Sequence, residues 1–152
     1  MMRSNNIDLL GKYVSEADAT MEMWIAKLGL SYNSYAVLYS LAAAENQGLT
    51  QKQISEEWFL PKQTVFNICK EFKAKGWIEF RESSTDKRER MMYLTDVGQA
   101  KAEPVWQLTD QLSQKTFAVL GKQKTTQLFA LLQEFSRICQ KQMEEIPIEI
   151  DN

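Results

Sequence analysis

The spacing of apolar positions changes several times along this chain, and each change marks an element. Ile7, Leu10, Val14, Ala17, Met21, Trp24 and Leu28 follow one another at intervals of three and four, a heptad-like stripe. It predicts an N-terminal helix that Gly29 ends. Ser31 then suits the cap of a helix over 31–45, with Tyr35, Leu38 and Ala42 as its apolar row. Thr50-Gln51-Lys52-Gln53 fits a capping box, so a short helix should start at about Gln51 and turn Ile54 and Trp58 inward. Phe59-Leu60-Pro61 breaks it, and Pro61 suits the first turn of a new helix. Over 61–75 the apolar row is Val65, Ile68, Cys69, Phe72 and Ala74, which leaves Lys62, Gln63, Thr64, Asn67, Lys70 and Lys73 outside. Gly76 closes that helix.

After Gly76 the pattern shifts to short strands. Trp77, Ile78 and Phe80 form one β-prone run and Arg90 to Thr95 another, with the turn formers Ser83 to Asp86 between them. A β-hairpin is the economical reading. Lys87, Arg88 and Arg90 sit at or just past its tip, as ordinary solvated charges or as cations following a phosphate backbone into a minor groove. The helix-turn-helix pattern just before the hairpin favours the second reading. A helix with Lys, Gln, Thr and Asn on its outer N-terminal face offers donors and acceptors to base edges in a major groove.

The C-terminal part returns to helical spacing. Thr95 caps a helix to about Leu120, where Gly121 breaks it, and Pro104 predicts a kink or a late start. Leu128, Leu131, Leu132, Phe135, Ile138, Cys139 and Gln142 then describe one more amphipathic helix, stopping before Pro147. Terminal helices this long carry more apolar face than one small core covers, and the surplus predicts a homodimer. Two symmetric recognition helices would meet a palindromic operator with half-sites ~34 Å apart.

The run from Leu49 to Gly98 resembles the winged helix-turn-helix core of the multiple-antibiotic-resistance-regulator (MarR) family of bacterial transcription factors. Lys75-Gly76-Trp77-Ile78 leaving the recognition helix, Asp86-x-Arg88 in the wing and Leu94-Thr95-x-x-Gly98 opening the next helix carry the likeness. It extends over the whole chain and implies a mainly α (α+β) fold, a winged helix-turn-helix core with N- and C-terminal dimerisation helices. Residues 1–152 are then a single domain: dimerisation helices at 5–29 and 100–146, core at 31–98, helix-turn-helix at 50–75 and wing at 77–95. The chain departs from the family at Phe59, where such turns commonly hold a small residue, and at Asn67, where an Arg is frequent. The second departure shifts weight onto Lys62, Lys70 and the wing.

On this reading Lys62, Gln63, Thr64 and Asn67 face base edges, and Gln51, Lys52 and Lys70 face phosphates. Arg88 enters the minor groove, oriented by Asp86, with Lys87 and Arg90 on the flanking backbone. The resemblance also implies a small aromatic or phenolic effector bound between the dimer helices and the core, for which Tyr13, Trp24, Tyr35, Tyr39 and Trp106 are candidates. The same rings, with Tyr32, read equally as core and interface aromatics. Release of DNA would follow from unequal effector affinity for two dimer states.

Composition sharpens this only in part. At 152 residues and 44% hydrophobic the chain can bury a proper core. It has no run of about 18 apolar residues and no apolar segment after its first residues, so a cytoplasmic protein without membrane contact is expected. The formal charge is −2, yet residues 61–90 hold eight basic against five acidic side chains, +3, leaving −5 elsewhere. The positive share lies where the motif would meet DNA.

Histidine is absent, which excludes imidazole general bases, Ser–His and Cys–His nucleophile pairs and His-ligated metal sites. Glu56-Glu57 and Glu144-Glu145 diverge on their helices, and no glycine-rich phosphate loop occurs. No enzyme, metal or cofactor is expected. Cys69 falls in the apolar row of the recognition helix and Cys139 on the last helix; without a CxxC pair a structural disulfide is not expected. The function expected is a DNA-binding regulator, a repressor released by its effector. Its alternatives are a winged-helix protein-interaction module without DNA binding, or a cysteine-based redox-sensing regulator.

Overall fold

A computed structural model describes residues 2–86 and 88–151. The chain divides into two compact units between Leu108 and Thr109. Among the described residues six α-helices and one two-stranded sheet follow in the order α1 (Asn6–Lys27), α2 (Tyr32–Ala43), α3 (Gln51–Trp58), α4 (Lys62–Ala74), β1 (Ile78–Glu82), β2 (Arg90–Leu94), α5 (Asp96–Leu120) and α6 (Lys122–Glu145).

In the first unit local chemistry sets the helix ends. Asn5 caps α1 in a capping box with Asp8, whose carboxylate accepts the Asn5 N–H at 2.9 Å. Ser31 accepts from the Ser34 N–H at 3.2 Å to open α2. Thr50 and Gln53 form the expected reciprocal box on α3, at 3.1 and 2.8 Å. Pro61 stands one place earlier than its expected position, as the N-cap of α4 with ψ 141°, because an extended ψ there turns the chain sharply out of α3. Phe59 makes that turn in the left-handed region, φ 52° and ψ 40°, a conformation that costs a non-glycine residue about 1–2 kcal/mol.

The core forms where α2, α3, α4 and the hairpin meet. Leu38, Leu41, Ile54, Val65, Cys69, Phe72, Ile78 and Met92 are buried together with Ala102 of α5. Residues of α4 spaced three and four apart, Val65, Cys69 and Phe72, supply its inner side. Ala74, expected in that row, is exposed, since two residues past Phe72 the helix has turned away from the core. Ile25, Tyr35 and Val105 make a second buried group.

The hairpin pairs Ile78 with Leu94 and Phe80 with Met92, antiparallel. Leu49 adds a bridge to Met92, exchanging hydrogen bonds of 3.1 and 2.8 Å, which ties the hairpin root to the approach to α3. Gly76 takes φ 73° to leave α4. At Gly98 a Cβ would lie 1.8 Å from the Trp77 carbonyl oxygen, so only glycine allows α5 to begin against the hairpin. Thr95 caps α5 by accepting the Gly98 N–H at 3.1 Å. The helix starts at Asp96 and continues past Pro104; Pro104 therefore does not delay its start, since the Thr95 cap sets it upstream.

The second unit holds the end of α5 and all of α6. Phe117 and Phe129 meet at 5.5 Å between ring centres. No residue of α6 is buried. Among the described residues no helix is long and apolar enough to cross a membrane.

Candidate nucleic-acid interface

With Val65, Cys69 and Phe72 turned inward, the opposite side of α4 has to face solvent. It carries exposed Lys62, Gln63, Asn67 and Lys70, with Thr64 half-buried. Gln63 Nε2 donates to Asn67 Oδ1 at 2.9 Å, one turn along the helix. The N-terminal turn of α4 has no side-chain cap, which leaves backbone N–H groups for an outside acceptor.

The wing stands beside this face. Between the start of α3, the outer side of α4 and the hairpin runs a cleft of about 560 Å³. Gln51, Lys52, Lys70, Arg88 and Arg90 line it, together with Thr50, Phe66, Lys73, Phe80 and Glu89. Lys52, Lys70, Lys73, Arg88 and Arg90 surround one carboxylate, so the cleft is strongly cationic. Its aromatic floor holds cations in place: Lys73 Nζ lies 5.3 Å and the Arg90 guanidinium carbon 5.9 Å from the Phe80 ring centre. Lys52 also reaches Glu56 at 3.9 Å, an exposed pair.

At the hairpin tip Ser83 accepts the backbone N–H of Thr85 and Asp86, at 3.3 and 3.4 Å. Asp86 Oδ1 accepts the Arg88 N–H at 2.9 Å. Asp86 thus positions Arg88 through the main chain, in an Asx-type turn. Lys87, assigned to the flanking backbone, lies outside the described residues.

Of the sequence-predicted DNA-facing residues, Gln51, Lys52, Lys70, Arg88 and Arg90 share the cleft, while Lys62, Gln63, Thr64 and Asn67 sit along α4. Phe66, Lys73 and Phe80 were not assigned. Phe66 is 48% exposed on a helix with a well-filled inner row, and its place at i+3 from Gln63 and i−4 from Lys70 was the available signal.

The effector candidates divide. Tyr35 is buried and stacks on Tyr39 at 5.3 Å. Tyr32, Tyr35 and Tyr39 all meet the Trp58 ring edge-on, at 5.9, 5.9 and 6.1 Å. Trp58 Nε1 donates to Ser40 Oγ at 2.6 Å, so this cluster fastens the end of α3 to α2. Trp106 packs against the larger core instead, and Tyr13 is exposed on α1 beside Lys12. Trp58, which the sequence pattern places on the inward face of α3, is the centre of this cluster.

Burial pushes the Cys69 thiol up to about 12, which keeps it protonated and unreactive at neutral pH. Cys139 is half-exposed, and both are free thiols. Among the described residues no group of three or more Cys, Asp or Glu could hold a metal ion.

The family model of the MarR family matches residues 28–89, the span from the end of α1 to the wing. Among solved structures the chain is similar to NMB1585, a MarR family regulator from Neisseria meningitidis, at 39% identity over 93% of this chain and 99% of that one, with a TM-score of 0.81. It also resembles the S. aureus MepR–DNA complex, at 20% identity, 89% and 98% coverage and a TM-score of 0.65, a likeness of fold. The DNA-binding transcriptional repressor ScoC of Bacillus subtilis (strain 168) is 25% identical over 118 residues, 77% of this chain and 56% of that protein. The chain spans about half the length of the curated relatives it matches.

Proposed function

The chain belongs to the MarR family of regulators, and we propose that it represses transcription as a homodimer bound to a palindromic operator. The observation that carries this reading is the joining of two cationic surfaces. The exposed side of α4 and the wing meet at one cleft edged by Lys52, Lys70, Lys73, Arg88 and Arg90. Base edges are read by Lys62, Gln63, Thr64 and Asn67, and the backbone is held by Gln51, Lys52, Lys70, Lys87 and Arg90. Arg88, positioned by Asp86, enters the minor groove.

Dimerisation is supported by apolar stripes that each unit leaves uncovered. Ile7, Val14 and Met21 on α1 are exposed, as are Leu128, Leu131, Leu132, Phe135 and Ile138 on α6. One symmetric partner covers such stripes and doubles the contacts to DNA. Repression, as in the named function of ScoC, follows where the operator overlaps a promoter.

Release by a small aromatic effector is the remaining part of the proposal, with Tyr13, Trp24, Tyr35, Tyr39 and Trp106 as the residues that would sense it. The contact of Trp58 with Tyr35 and Tyr39 supports it, since a ligand disturbing those rings would act on the end of α3. Titrating the purified protein with salicylate-like phenols checks this part: tryptophan fluorescence changes together with loss of DNA if it holds, and neither changes if it does not. DNA binding itself is tested by fluorescence anisotropy with duplexes selected from random sequence. Binding that weakens steeply with salt and falls in Arg88→Ala supports it; no binding of any duplex at low salt overturns it.

A further inference from the structure

The outer side of α4 holds two features that phosphate contacts do not require. The first is the bond from Gln63 to Asn67 at 2.9 Å. Joined in this way, and in either amide orientation, the exposed pair keeps one carbonyl oxygen with no partner in the pair and one amide NH2 group unused. On a single base's major-groove edge a donor beside an acceptor belongs to adenine, through N6 and N7, whereas guanine shows two acceptors and cytosine one donor.

The second feature is Phe66. Phe66 is 48% exposed, three residues after Gln63 and four before Lys70, in a cleft where Lys52, Lys70, Lys73, Arg88 and Arg90 outnumber the one carboxylate of Glu89. Surroundings of that charge suit a polyanion, and duplex DNA is a polyanion with one apolar group in its major groove, the thymine 5-methyl.

We infer that α4 reads an A·T-containing step, with the linked Gln63 and Asn67 on the adenine edge and Phe66 packed on a thymine methyl. This rests on the DNA-binding reading above and names the bases that reading left open.

The test uses the full-length protein and a duplex selected from random sequence. Each thymine of a half-site is replaced in turn by deoxyuridine, which lacks only the methyl, and each adenine by 7-deazaadenine, which lacks only N7. At one thymine the replacement weakens binding about fourfold, the worth of one buried methyl. That difference disappears in Phe66→Ala and persists in Phe66→Leu, with the salt dependence unchanged in both. The 7-deaza effect disappears in Gln63→Ala and in Asn67→Ala. Phe66→Ala retaining the thymine/deoxyuridine difference overturns the assignment, as does a wild-type protein that binds the duplex yet ignores every methyl. Failure to bind any duplex at low salt is a distinct result, removing the DNA-binding reading and this assignment with it.

Discussion

Helices α2 and α6 treat their apolar residues in opposite ways. Seven of the twelve residues of α2 are buried, while none of the 24 residues of α6 is. The difference is not one of missing apolar side chains, since α6 carries Leu128, Leu131, Leu132, Phe135 and Ile138 on one stripe. It lies in what covers them. The first unit closes α2 with α3, α4 and the hairpin; the stripe of α6 is left open, as is that of α1. The core of α2, α3, α4 and the hairpin is therefore closed within the chain, while the stripes of α1 and α6 stay uncovered.

The sharpest way to break that contrast is to place a charge in each helix. Leu38→Glu puts an unpaired carboxylate into the closed core, at a cost of several kcal/mol that abolishes folding; circular dichroism of the purified chain checks it. Phe135→Glu leaves the fold of the chain intact and dissociates the dimer, seen as a monomer by sedimentation equilibrium at micromolar concentration. Deletion without charge comes next. Phe72→Ala loses about 3–5 kcal/mol in urea unfolding, as for any large ring removed from a packed core. Gly98→Ala costs about 1–3 kcal/mol by the same measurement, because its Cβ meets the Trp77 carbonyl and α5 must shift off the hairpin.

The smallest effect separates the two thiols. A disulfide reagent modifies half-exposed Cys139 in the native protein and reaches Cys69 only after unfolding. The unfolded Cys69 thiol ionises near its ordinary value of 9.0 and the folded one at about 12. Burying it neutral therefore stabilises the fold fully below pH 9, and this stability is lost as pH rises from about 9 to 12. Urea unfolding across that range shows the decline in wild type and a shallower one in Cys69→Ala. Rapid native modification of Cys69 would instead reopen the redox-sensing alternative.

Sequence and structure agree where a local rule acts alone. The Thr50–Gln53 box and the Ser31 and Thr95 caps follow from nearest-neighbour chemistry and appear as expected, as do Val65, Cys69 and Phe72 of the inner row of α4, while Ala74 does not join that row. What remained hidden depends on the approach of distant segments. Trp58 meets Ser40 and three tyrosines of α2 across 18 or more residues of chain, and no spacing rule reports that. Phe66 lies outside the apolar row read from the sequence, and the filled row of Val65, Cys69 and Phe72 leaves it exposed. Phe59 illustrates the reverse: its departure from the usual small turn residue is visible in the sequence, and the turn tolerates it by adopting φ 52° with the ring 93% exposed. The polar outer face of α4 is legible in the sequence because long polar side chains opposite an apolar row must point outward. The cleft joining α4 to the wing, however, depends on the Leu49–Met92 bridge and on Gly98, which bring the hairpin to its place.

In the proposed function, two copies of this chain, held by their open helical stripes, read one duplex through α4 and the wing. Sedimentation velocity of the full-length protein with a selected duplex, repeated across a salt series, tests it most directly. The expected result is two chains per duplex, with log affinity falling linearly against log salt and a slope smaller by about one in Arg88→Ala. A single chain on the duplex, or binding indifferent to salt, would contradict it.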